Sequence, residues 1–153
     1  MAALRIALAA ALAAVFAVAG RAAVDAPVDF TVENASSIPE PLIALPPGAR
    51  GGGGFVFDRA GCADCHKTPD RPDAPAIGPD LSDVGARLTE GEIRLMIVDP
   101  RISSPRTEMP AYYAVGVFDD APDELVGRTR LSAADVERLV ELLVAYDGED
   151  GSN

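Results

Sequence analysis

Cys62, Cys65 and His66 fall within five consecutive residues, Cys62-Ala63-Asp64-Cys65-His66, and no other cysteine or histidine occurs in the 153-residue chain. Whatever thiols and an imidazole do in this protein is therefore concentrated at one point. The spacing C-x-x-C-H is that of a covalent c-type haem attachment site. Two thiols three positions apart on one helical turn can add to the two vinyl edges of a single porphyrin, and the adjacent imidazole then points at the iron, with His66 as proximal ligand. Other uses fit less well. Structural zinc usually takes four Cys or His ligands. A thioredoxin-like dithiol opens a helix in a βαβ setting, and no strand pattern precedes Cys62. A plain disulfide accounts for both cysteines and leaves His66 unexplained.

The rest of the chain is organised by its prolines. Met1-Ala2-Ala3-Leu4-Arg5 and the uncharged apolar run from Ile6 to Ala19 have the form of a secretory signal peptide. The run is shorter than the roughly 20 residues a membrane-crossing helix needs. Cleavage is expected after Ala17-Val18-Ala19, which gives a periplasmic protein with no membrane span. Residues 20–50, broken by Pro39, Pro41, Pro46 and Pro47, read as an extended N-terminal arm. The folded domain is expected over 51–147, with a flexible tail at 148–153. Within it, Phe55-Val56-Phe57 belongs on a helix leading to Gly61-Cys62. Pro69 to Pro79 is loop, and Thr89 with Glu92 forms a capping box ahead of Ile93, Met96 and Ile97, which predicts a helix over about 90–98. Pro100 to Pro110 and Asp119 to Gly127 are again loop. Ser132 with Asp135 starts a final helix whose Val136, Leu139, Val140 and Leu143 fall at i, i+3, i+4 and i+7. Strand patterns are scarce apart from a short stretch near Val115 to Phe118. The expected class is mostly α, with a compact part of about 90 residues, small enough to need a staple such as a covalent cofactor.

A sixth iron ligand has to come from further along the chain. Met1 lies in the signal peptide, Met96 shares a helical face with Ile93 and Ile97 and is expected in the core, and Met109 lies in the loop Thr107-Glu108-Met109-Pro110. Met109 is the expected distal ligand, since His/Met ligation is an established cytochrome arrangement. A ligating histidine usually donates its second ring N–H to a fixed acceptor. The Pro79 carbonyl in Gly78-Pro79-Asp80-Leu81 is the candidate. The formal charge of −11, or −12 once Arg5 leaves with the signal peptide, repels nucleic acid and anionic lipid and suits a partner with a basic face. Ordinary solubility accounts for it equally well.

With the haem motif, a Gly-Pro-x-Leu turn, a methionine loop and a terminal helix in this order, the sequence resembles class I cytochromes c. That resemblance implies a first and last helix crossing through a glycine and an aromatic contact, with Gly54, Phe55, Leu143 and Tyr146 as the matching residues. The chain is similar, more narrowly, to SoxX, the small monohaem subunit of the SoxXA complex of bacterial sulfur oxidation, over about residues 50–147. Gly61 to His66, Ile77 to Leu81, Leu88-Thr89, Met109-Pro110-Ala111-Tyr112-Tyr113 and Leu131 to Glu137 carry it. The resemblance implies one covalent haem c and a SoxA-like dihaem or monohaem catalytic partner in a heterodimer or larger assembly. It also implies a non-catalytic, electron-accepting role in L-cysteine S-thiosulfotransferase, with a downstream electron acceptor. No catalytic residue is expected here, because both cysteines are consumed by thioethers. The alternative is a free periplasmic electron carrier.

Overall fold

A computed structural model of the chain describes residues 36–46, 51–114 and 128–148. The signal peptide, the arm before residue 36, the stretch near Val115 to Phe118 and the tail from 149 lie outside the described residues. The elements are α1 (Gly53–Arg59), a 3₁₀ turn (Cys62–Asp64), α2 (Val84–Arg87), α3 (Glu90–Val98), a second 3₁₀ turn (Pro100–Ile102) and α4 (Ala133–Val144). Among the described residues there is no strand, only an isolated bridge between Thr68 and Arg71. No described helix is long and apolar enough to cross a membrane.

The two longer helices begin where their caps place them. Thr89 Oγ1 accepts from the Glu92 N–H, and Glu92 Oε2 accepts from the Thr89 N–H at 2.8 Å, a reciprocal box that satisfies two otherwise orphaned donors. Ser132 Oγ accepts from the Asp135 N–H at 3.2 Å at the start of α4. The apolar face of α4, Val136, Leu139, Val140 and Leu143, is buried. This helix is the centre of the packing and touches α1, α2 and α3. Helix α3 is enclosed on more than one side, with Ile93, Leu95, Ile97 and Val98 all buried.

The α1/α4 crossing departs from expectation by one residue. A Cβ on Gly53 would lie 2.5 Å from the Arg138 carbonyl oxygen and 2.7 Å from Leu142 Cβ, whereas one on Gly54 would meet nothing. Phe55 is 70% exposed, under the Arg59 guanidinium, and Val56 and Phe57 form the buried face instead. Each residue turns a helix by about 100°, so an apolar triplet on a seven-residue helix cannot say which member faces inward. Leu143 is buried as expected. Tyr146 is half-buried and its hydroxyl donates to Asp70 Oδ2 at 2.7 Å.

Residues 36–46, read as part of the arm, lie against α3 and α4. The Ile38 side chain joins the core and its N–H donates to the Gly91 carbonyl at 2.9 Å. Arg94 and Glu137 form a bidentate ion pair at 2.8 and 2.9 Å, both buried. Arg94 Nη1 also donates to the Ile38 carbonyl at 2.7 Å, and Glu137 Oε1 accepts from the Leu42 N–H at 2.9 Å. The arm thus completes the hydrogen bonding of two buried charges, each of which would be costly to leave without its partner.

Candidate functional site

Helix α1 stops at Arg59 because Gly61 turns left-handed, with φ +76°, which frees the chain to enter the 3₁₀ turn that carries Cys62. The two thiols thus sit on one helical turn, as expected, and that turn is a 3₁₀ one. The Cys65 and His66 N–H groups both donate to the Cys62 carbonyl, at 3.2 and 3.0 Å. Cys62 and Cys65 stand as free, partly buried thiols. Burial pushes the Cys62 thiol up to about 11, so it is protonated and a poor nucleophile at neutral pH.

These residues line a mainly apolar cleft of about 440 Å³, within the size range of cofactor and ligand pockets. Cys62, Cys65, His66, Pro79 and Met109 all line it, together with Leu139 and Leu143 of α4 and Ile93 and Ile97 of α3. His66 Nδ1 lies 2.8 Å from the Pro79 carbonyl oxygen. A carbonyl can only accept, so Nδ1 carries the proton and Nε2 is the ring nitrogen left for a metal. Gly78 N–H in turn donates to the Cys65 carbonyl at 2.8 Å. A Cβ on Gly78 would come within 2.4 Å of His66 Cε1 and 2.7 Å of Nδ1. The glycine is there because the imidazole lies flat against its backbone. Met109 is half-buried, and its N–H donates to Thr107 Oγ1 at 3.1 Å, a local turn that shapes the loop ahead of Pro110.

Met96 is a correction. It was expected in the core, but it is only partly buried and lines the same cleft as Met109. Helix α3 buries residues on both sides of position 96, so helical spacing to Ile93 and Ile97 did not distinguish a core face from a cleft wall. Sequence reasoning assigned no role to two further lining residues. Arg87 is held by Asp83 Oδ1 at 2.8 Å and the Asp80 carbonyl at 2.7 Å. Tyr112 is buried, with its hydroxyl 3.3 Å from the Ala60 carbonyl. Tyr112 belonged to the Met-Pro-Ala-Tyr-Tyr motif, which was visible without its role being so. Among the described residues, no group of three His, Cys, Asp or Glu side chains is placed to hold a metal ion by itself. The donor set instead suits a group that brings its own equatorial ligands: two thiols for attachment, one imidazole and one thioether, in an apolar cleft.

No family model matches the chain, and no curated protein matches it in sequence. Among solved structures, it is similar to a chain in the crystal structure of SoxXA from P. pantotrophus, with 26% identity and a TM-score of 0.62 over 76% of this chain and 92% of that one. The resemblance read from the motifs thus extends to the fold, and the chain is SoxX-like.

Proposed function

We propose that this chain is the electron-accepting monohaem cytochrome c subunit of a periplasmic thiosulfate-oxidising complex of the SoxXA kind. The observation that carries the reading is the convergence of Cys62, Cys65, His66 and Met109 on one apolar cleft in a SoxX-like fold. In this reading, Cys62 and Cys65 anchor one haem c through thioethers, His66 Nε2 is the proximal iron ligand and Met109 the distal one. The Pro79 carbonyl holds the His66 tautomer. The haem supplies a one-electron couple that no side chain of this protein offers. The apolar walls from α3 and α4 exclude water from it, which together with thioether ligation favours a raised potential.

The sulfur chemistry belongs to the partner, a SoxA-like subunit with its own haem and catalytic cysteine. Joining thiosulfate to a carrier-protein cysteine releases two electrons, and a site with a single iron passes them on one at a time to a downstream acceptor. Cys62, consumed by its thioether in this reading, has no part in that bond formation.

The test is to isolate the native holoprotein from the periplasm at low salt and assay for a second haem-bearing chain with thiosulfate-dependent cysteine-modifying activity. Co-purification of that activity is expected. A clean monomer that only exchanges electrons would establish the free carrier instead, with the haem site unaffected.

A further inference from the structure

The two helices that wall the cleft carry a second contact on other faces. On α4, Leu139 and Leu143 line the cleft, and Glu137 lies about 160° and 120° round the helix from them. On α3, Met96 lines the cleft and Arg94 lies about 160° round from it. Arg94 and Glu137 meet each other instead, Nε to Oε1 at 2.8 Å and Nη2 to Oε2 at 2.9 Å. Residues 36–46 take up what the pair leaves over. The Ile38 carbonyl accepts from Arg94 Nη1 at 2.7 Å, and the Leu42 N–H donates to Glu137 Oε1 at 2.9 Å. Every guanidinium nitrogen and both carboxylate oxygens thus have a partner, in residues only 1% and 7% exposed. The segment is also fitted to α3 backbone to backbone. Ile38 N–H donates to the Gly91 carbonyl at 2.9 Å, and a Cβ on Gly91 would come within 3.0 Å of the Ile38 carbonyl oxygen and 3.1 Å of Pro39 Cα.

We propose that residues 36–46 are a strap that fixes the register of α3 against α4 and so sets the fit of the cleft around the haem, with Arg94 and Glu137 as positioning residues. The inference rests on the haem reading above. A buried ion pair contributes little net stability, because desolvating both charges offsets much of their attraction. A bidentate guanidinium–carboxylate pair does supply geometry, since two parallel hydrogen bonds fix distance and orientation together. It does so here while the strap keeps water from Arg94 Nη1 and Glu137 Oε1. With the strap lifted, water competes for both atoms and the pair can slide or open. The helices then carry that play to their cleft faces, which hold Ile93 and Ile97 on one side and Leu139 and Leu143 on the other. A looser cleft admits water to the haem, which favours the more highly charged oxidised iron and lowers the potential.

Amide hydrogen exchange on the wild-type holoprotein comes first. The Ile38 and Leu42 N–H groups should be protected, and exchange at unfolded-chain rates would overturn the proposal. Gly91→Leu fills the space under the strap, and Ile38→Asp sets a carboxylate against the core. Each releases the strap without altering the pair or the cleft wall. Both holoproteins are expected to retain covalent haem, to lose protection at Leu42, and to show a weakened far-red sulfur-to-iron band and a reduction potential below that of the wild type. A strap that only stabilises would lower the melting temperature and leave band and potential unchanged, and that result overturns the proposal. Should neither variant accumulate, Arg94→Lys decides it, because lysine keeps the charge but cannot make two parallel bonds. Its potential should fall with the strap still seated, and a wild-type potential counts against the assignment. A chain that carries no thioether-linked haem would instead sink the haem reading, and strap exchange, which needs no haem chemistry, keeps the two failures apart.

Discussion

A single missing side chain decides whether His66 can occupy its place. Gly78 leaves no room for a Cβ beside the imidazole, so Gly78→Ala should displace the ring from the Pro79 carbonyl. The expected cost is about 1–3 kcal/mol, as for an overpacked core, together with a several-fold lower yield of holoprotein, checked by thermal melts and haem content. Gly54→Ala is the matching control, because its Cβ meets nothing and alanine favours a helix interior by about 0.5–1 kcal/mol. At the other end of the cleft, Met109→Ala should abolish the weak far-red sulfur-to-iron band of the oxidised holoprotein and lower its potential. An unchanged spectrum would remove Met109 as ligand, and Met96, on the same cleft wall, would then be the thioether to examine. The cysteines, His66 and Met109 could be singled out as candidates from residue type and spacing, and the structure brings them to one cleft. Gly78's steric role and the partner of Tyr112's hydroxyl were not legible there, because each depends on an atom 12 or 52 positions away in the chain.

The helices divide in the same way. Helices α3 and α4 could be read closely because their caps and apolar periodicity are local, and both begin where Thr89 and Ser132 say they should. Helix α2, four residues long, carried no comparable signal and exists because it packs on α4, with the Gly85 N–H donating to the Tyr146 carbonyl at 2.8 Å. The α3 cap makes an acid-dependent contribution. Glu92 is held below its ordinary value of 4.5 because the Thr89 N–H and hydroxyl both donate to its carboxylate. A carboxylate depressed by folding stabilises the native state above its unfolded value and loses that contribution as pH falls through the lower, folded one. Glu92→Gln keeps an acceptor for the Thr89 N–H but does not titrate. In thermal melts from about pH 6 to pH 3, the wild type should therefore lose its margin over E92Q below about pH 4.5. Parallel curves would show that the box contributes no charge-dependent stability.

At the scale of the whole molecule, the four α-helices among the described residues, in a compact part of about 90 residues, line a cleft of about 440 Å³. Ile93, Ile97, Leu139 and Leu143 face that space as well as one another. In the haem reading, the cofactor completes the core, so apoprotein made without haem attachment should be largely unfolded by circular dichroism. A native-like apoprotein spectrum would mean that the helices and the buried Arg94–Glu137 pair suffice. The sequence by itself determined the candidate attachment motif, the helix starts and the candidate iron ligands, because each is written in neighbouring residues: a spacing, a cap, a periodicity. Only the tertiary structure decided that Gly53 rather than Gly54 meets α4 and that Met96 faces the cleft. It alone seated residues 36–46 on a buried ion pair and brought the Tyr112 hydroxyl to the Ala60 carbonyl. Those facts turn on which side of a short helix points inward and on which distant segments close together, and neither is encoded in any local stretch of chain.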